Sequence, residues 1–194
     1  MKTKVLLVMA LSVILSASAP AQEKEKKIAF ELGGGPSIPT NEFAEGIRLG
    51  FGFECTFNYS FMPHTGIYGG WGANWLSTET VNSETSLDYE ETGYVLGLDF
   101  RHPIGSSNIS YYARAGALYN HIETENSDGI IISDTKHGLG YQLAGGLAIN
   151  LGRNWNLVPG IKFNSLTRDS EINGVIKQLN YQYISAKIGI SKKF

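Results

Sequence analysis

Residues 46–59 read GIRLGFGFECTFNY, and every second residue belongs to one chemical class. Ile47, Leu49, Phe51, Phe53, Cys55, Phe57 and Tyr59 make one apolar face, while Arg48, Gly50, Gly52, Glu54, Thr56 and Asn58 make a small and polar one. A period of two sends successive side chains to opposite sides of an extended strand. The alternation returns at Tyr94, Leu96, Leu98 and Phe100, at Leu139, Tyr141, Leu143, Leu147 and Ile149, and at Ile184, Ala186, Ile188 and Ile190. Helical periodicity is nearly absent after Lys27. Eight strands are predicted, over 27–36, 46–59, 65–76, 92–101, 109–120, 138–150, 155–166 and 179–194. Most exceed the usual ~5–6 residues of a globular strand and suit the ~9–11 of a tilted strand that crosses a bilayer.

Alternation alone does not say which face points inward, because a soluble barrel would bury the apolar face. Glycine decides it. Glycine supplies 23 of 194 residues, well above the average of about 7%, and much of the excess (Gly50, Gly52, Gly97, Gly116, Gly140, Gly146) falls on the polar face. A solvated strand surface favours Thr, Lys or Glu there, and glycine weakens a strand. The interior of an eight-stranded barrel is only wide enough for side chains to fill, so tiny residues make room for a few large ones. The polar face is therefore a crowded lumen, and the apolar face a band against lipid.

The connections agree. Short links at 60–64, 102–108 and 152–154 alternate with longer ones at 37–45, 77–91, 121–137 and 167–178, as expected for short periplasmic turns and long outer loops with both termini on the periplasmic side. Ile172-Asn173-Gly174-Val175 is a two-residue hairpin signal. Pairing outward from it sets Phe163 against Ile184 and Leu157 against Ile190, all on the lipid face. The same exercise from Ser127-Asp128-Gly129-Ile130 sets His121 against Lys136 and mismatches the faces by one residue, so a bulge or a wider loop is required there.

The N-terminus has a positive stub (Lys2, Lys4), an apolar run from Val5 to Leu15, and small residues ending in Ala19-Pro20-Ala21. This is the pattern of a secretory signal over 1–21, cut after Ala21. Residues 22–26 are then a short periplasmic stub and 27–194 the barrel. Cys55 is the only cysteine, so no internal disulfide is available. With 16 Lys+Arg against 18 Asp+Glu there is no basic excess for a phosphate backbone, and no nucleic acid partner is expected.

The chain ends Ile188-Gly189-Ile190-Ser191-Lys192-Lys193-Phe194. A glycine, spaced apolar residues and a last aromatic resemble the C-terminal signal of bacterial outer-membrane proteins. Over nearly its whole mature length the chain resembles the small outer-membrane barrels of OmpA and OmpX type. That resemblance implies an all-β, eight-stranded antiparallel up-and-down transmembrane β-barrel in a Gram-negative outer membrane. Its partners would be outer-membrane lipid and lipopolysaccharide, and the insertion machinery would read Gly189 and Phe194.

Glu31, Arg48, Glu54, Asp99, Arg101, Arg114, Lys162 and Lys187 fall on the lumen face. A basic residue facing lipid near the midplane costs ~2–4 kcal/mol, so these point inward and pair as a polar plug. The second long loop holds Glu79, Glu84, Asp88, Glu90 and Glu91 with no Lys or Arg, and the third holds Glu123, Glu125, Asp128 and Asp134. No EF-hand spacing is present, and neither a metal nor a cofactor is expected. His121, His137, Glu123 and Ser133 invite comparison with lipid A modifying barrels, but no closely spaced His and Ser share a lipid-facing strand. The expected role is structural and interactive: a monomeric barrel without enzymatic activity, displaying loops for adhesion, envelope integrity or host contact, with an extracellular ligand at those loops. The alternatives are a lipid-modifying enzyme and a narrow pore.

Overall fold

The computed structural model describes residues 27–78, 87–172 and 174–194. Nine strands follow one another: β1 (Ile28–Pro39), β2 (Gly50–Ser60), β3 (Thr65–Ser77), β4 (Asp88–Pro103), β5 (Ile109–Glu125), β6 (Ile131–Asp134), β7 (Gly138–Gly152), β8 (Trp155–Ile172) and β9 (Val175–Lys193), with a short 3-10 helix at Asn41–Ala44. Eight of them close a ring in which each pairs antiparallel with its sequence neighbours. β4 joins β5, β5 joins β7 past the short β6, and β9 returns to β1. Closure leaves no free edge, the condition for a sheet to cross a membrane. β6 stands outside the ring and pairs only with the outer end of β5. The expected signal segment and stub lie outside the described residues.

Side-chain burial follows the two-residue period. Leu139, Ile188 and Leu96 are 76%, 68% and 67% exposed, whereas Gln142 and Glu31 are 1% and 2% exposed. Most of the exposed large residues are those assigned to lipid, and Tyr94 stands directly opposite Tyr119 on that face. Cys55 also lies there, half-buried.

The register from the 172–175 turn is the observed one, with Phe163 against Ile184 and Leu157 against Ile190. Asn173 itself lies outside the described residues. At the third outer loop β5 pairs β6 through Glu123–Asp134 and Thr124–Ser133, then slips by one residue between Thr124 and Glu125. Nearer the membrane β5 pairs β7 through Asn120–Gly138. The Glu123–Asp134 pairing keeps the mismatched register that the 127–130 turn sets, and a second one-residue slip, between it and the Asn120–Gly138 pair, restores matching faces between β5 and β7.

Several strand limits differ from the sequence reading. β4 begins at Asp88 and β5 ends at Glu125, while β8 and β9 run to Ile172 and from Val175, because the outer connections continue the ladder beyond the membrane. β2 begins at Gly50, four residues later than read. The chain leaves the 3-10 helix through Gly46 at φ 71°, and Ile47 then bridges Thr78 one residue out of the register that Phe51 and Trp75 set, so the ladder is regular only from Gly50.

Candidate functional site

The barrel interior holds one chain of alternating charges. Arg114 on β5 grips Glu31 of β1 with both terminal nitrogens, at 3.0 and 2.7 Å, and donates from Nε to Asp99 of β4 at 2.6 Å. Its remaining reach goes to Asn58 Oδ1 at 3.1 Å. Lys187 of β9 meets Glu31 at 2.9 Å and Glu54 at 3.9 Å, and Lys162 of β8 meets Glu54 at 3.1 Å. Three acids and three bases therefore balance in the order Asp99, Arg114, Glu31, Lys187, Glu54, Lys162. The Tyr68 and Tyr112 rings lie 5.2 and 5.0 Å from the Arg114 guanidinium, adding cation–π attraction away from water.

Six of the eight expected lumen residues form this chain. Arg101 is half-buried nearer the inner mouth, in a recess shared with Lys27, Asp99 and Lys193. Arg48 is corrected: it is exposed and outside the barrel, since β2 starts two residues after it. Gly189 is buried on β9, and Phe194 closes the chain with its amide bonded to the Ile28 carbonyl.

Toward the outer end the interior changes character. Glu91, read as a loop residue, points inward and is 2% exposed. It accepts from the Asn120 amide and from the Tyr183 hydroxyl. Above it Tyr181, Leu76, Leu118, Ile122 and Leu166 pack into an apolar plug, which Phe43 of the 3-10 helix caps, its ring 4.6 Å from Tyr181. The lumen is thus ionic in its inner part and apolar toward the outer mouth, not polar throughout. Arg168, absent from the sequence reading, donates to the carbonyls of Asn120, Gly138 and Leu139 and ties β8 to β5 and β7. A barrel filled in this way is expected to give no large, stable conductance steps in planar bilayers. Stable openings of the wild-type chain would contradict the continuity of the ion chain and the Phe43 cap.

Beyond the Tyr94–Tyr119 pair the outer rim is acidic. Across β4, β5 and β6, Glu90 stands opposite Glu123 and Glu123 opposite Asp134. The Glu123 carboxyl is held above its ordinary range, chiefly by partial burial, with Asp134, Glu90 and Glu125 adding to the effect and His121 opposing it. His121 lies between Thr92, at 2.8 Å from Nε2, and Asp134, at 2.9 Å from Nδ1. The order hydroxyl, imidazole, carboxylate is that of a nucleophilic triad. The acidic row beside it would oppose an oxyanion rather than stabilise one. Ser133 is buried and bonds Ser170 instead of a histidine.

A closed antiparallel barrel with a lipid-facing apolar girdle and a filled interior defines the class of small outer-membrane β-barrels. The sequence matches the outer membrane protein beta-barrel domain over residues 8–194, and the chain belongs to that family. Among solved structures it is similar to Neisserial surface protein A (14% identity, TM-score 0.63, covering 86% of this chain and 97% of that one). It is also similar to Ail, the attachment invasion locus protein of Yersinia pestis, in complex with the heparin analogue sucrose octasulfate (14%, 0.55, 88% and 100%). A third similar structure is AlkL in lipid bilayers (13%, 0.51, 92% and 96%). These identities show a shared fold. No curated protein matches the sequence.

Proposed function

We propose that the protein is a surface-display barrel, non-enzymatic, whose outer hairpins bind a basic protein partner. The observation that carries this is the outer surface itself. Ile130, Ile131 and Ile176 are 59%, 51% and 70% exposed on hairpins that project past the membrane girdle, where no lipid covers them. Exposed apolar groups at such a position favour a binding surface. Ile130 and Ile131 stand in the chain between Asp128 and Asp134, and Ile176 lines a recess with Asp134, Lys136, Asp169 and Glu171, so the complementary partner carries positive charge around an apolar patch.

In this reading the signal segment is cut after Ala21 and the insertion machinery reads Gly189 and Phe194. The finished barrel sits as a monomer among phospholipid and lipopolysaccharide. The plugged lumen serves as a rigid anchor.

The contrast with Ail sharpens the test. Ail was solved with a sulfated, polyanionic heparin analogue, whereas an acidic rim repels such a ligand. The refolded barrel is expected to pass unretained through a heparin column at physiological salt. Cells displaying it should bind a basic extracellular-matrix or serum protein, and lose that binding when 126–132 and 172–176 are replaced by Gly/Ser. Barrel insertion is checked by the heat-modifiable gel shift. Salt-sensitive heparin retention, or adhesion unchanged by the loop replacements, would sink the proposal.

A further inference from the structure

We propose that the outer rim carries a site for one divalent transition-metal ion, of the zinc type, formed by His121 Nδ1 and the carboxylates of Glu123 and Asp134. The ligand atoms of these three residues lie within 4.8 Å of one another, close enough for a common ion with its ~2.0–2.2 Å bonds after small side-chain rotations.

Two features beyond the clustering of acids favour an ion. The first is the imidazole and the way it is held. Thr92 Oγ1 lies 2.8 Å from Nε2, which fixes the ring and turns Nδ1 toward Asp134. Metal-ligating histidines are oriented in this way through the nitrogen that does not bind the ion. His137 stacks on the same ring, its centroid 4.4 Å away and nearly parallel at 14°, so the ring has little freedom to swing out. Nitrogen plus two carboxylates suits zinc or its neighbours, whereas calcium takes oxygen ligands only.

The second is the register. Glu90, Glu123 and Asp134 stand directly opposite one another on three adjacent strands, and like charges so placed destabilise a sheet. Among the described residues no Lys or Arg lies within 4.0 Å of these carboxylates. The bulge at Thr124/Glu125 belongs to the same β5–β6 pairing that sets Asp134 beside Glu123. The His121 side chain is 17% exposed and that of Asp134 53%, so the site is built on one side and open to an entering ion on the other.

The test uses the full mature chain, refolded in detergent and free of any histidine tag, titrated with Zn2+ by calorimetry and with Co2+ by visible absorption. The expected result is one saturable Zn2+ per barrel and Co2+ d–d bands. His121→Ala and Glu123→Gln should each weaken binding at least about tenfold, and His64→Ala, at the far end of the barrel, should leave it unchanged. Glu123→Gln removes the central like charge, so its metal-free barrel should unfold no earlier than wild type, while Zn2+ raises the unfolding midpoint of wild type alone. Absence of saturable Zn2+ binding, binding that survives both substitutions, or equal competition by Ca2+ would each overturn the proposal.

Discussion

Replacing Arg114 by Met is expected to lower the unfolding free energy of the barrel by about 3–5 kcal/mol, the cost of leaving buried charges without their partner. Arg114 is 3% exposed and makes four charged or polar bonds, to Glu31 twice, to Asp99 and to Asn58. Glu31 would keep Lys187, but Asp99 has no other ion pair among the described residues. Most of the penalty therefore sits on Asp99, and the double variant Arg114→Met with Asp99→Asn restores balance between Glu31, Glu54, Lys162 and Lys187. It should regain more than half of the loss, a coupling that a double-mutant cycle reads directly. Arg114→Lys keeps the charge but not the two-pronged grip on Glu31, and an intermediate loss of about 1–3 kcal/mol is expected. Urea unfolding in vesicles, followed by the heat-modifiable gel shift, measures all three. A loss below about 1 kcal/mol for Arg114→Met, against the 3–5 of a broken buried pair, would mean that water reaches the ion chain.

The ion chain was readable without coordinates because it depends only on parity. Once one face is lipid, Glu31, Glu54, Asp99, Arg114, Lys162 and Lys187 must point the other way. Parity fails where the backbone stops being extended. Arg48 keeps the alternation through Ile47 and Leu49, yet it precedes β2, and nothing in the local pattern marks the one-residue slip between the Ile47–Thr78 bridge and the Phe51–Trp75 pair. The opposite error hid Glu91 and Arg168, since polar composition reads as loop even where the ladder continues outward. The apolar plug was hidden for a third reason. Val95 and Leu118 sit between apolar neighbours, so both faces of β4 and β5 are apolar there and the contrast vanishes. Who pairs with whom across the lumen needs the register of several strands at once, which one strand's pattern does not contain.

The glycines on the lumen face show what that register adds. Tyr68 of β3 stands beside Gly97 of β4, Gly97 opposite Gly116 of β5, and Gly116 opposite Gln142 of β7. The Tyr68 side chain lies along this row and donates its hydroxyl to Gln142 Oε1 at 3.0 Å. Tyr112 repeats the arrangement over Gly146 and Gly160, toward Lys187. Each pair of glycines thus makes the bed for one tyrosine, and a methyl group at either position is an overpacking error that costs about 1–3 kcal/mol in a tight interior. The two positions above Gln142 should nevertheless respond differently. A Cβ on Gly116 would meet the Tyr68 hydroxyl at 2.5 Å, with backbone no nearer than the Leu96 carbonyl at 3.2 Å. Gly116→Ala should therefore destabilise strongly in the wild-type chain and much less in a Tyr68→Phe background, where the colliding oxygen is gone. A Cβ on Gly97 would run into the Ala115 carbonyl and the Gly116 Cα as well as the Tyr68 ring, and shortening the tyrosine by one oxygen relieves none of these. Gly97→Ala should then lose at least the upper end of that range and stay destabilised beside Tyr68→Phe. Equal rescue of both glycine variants in a urea-unfolding cycle would show that the sheet yields at this level of the barrel. Rescue of Gly116→Ala alone would identify the tyrosine hydroxyl as the group for which that glycine leaves room.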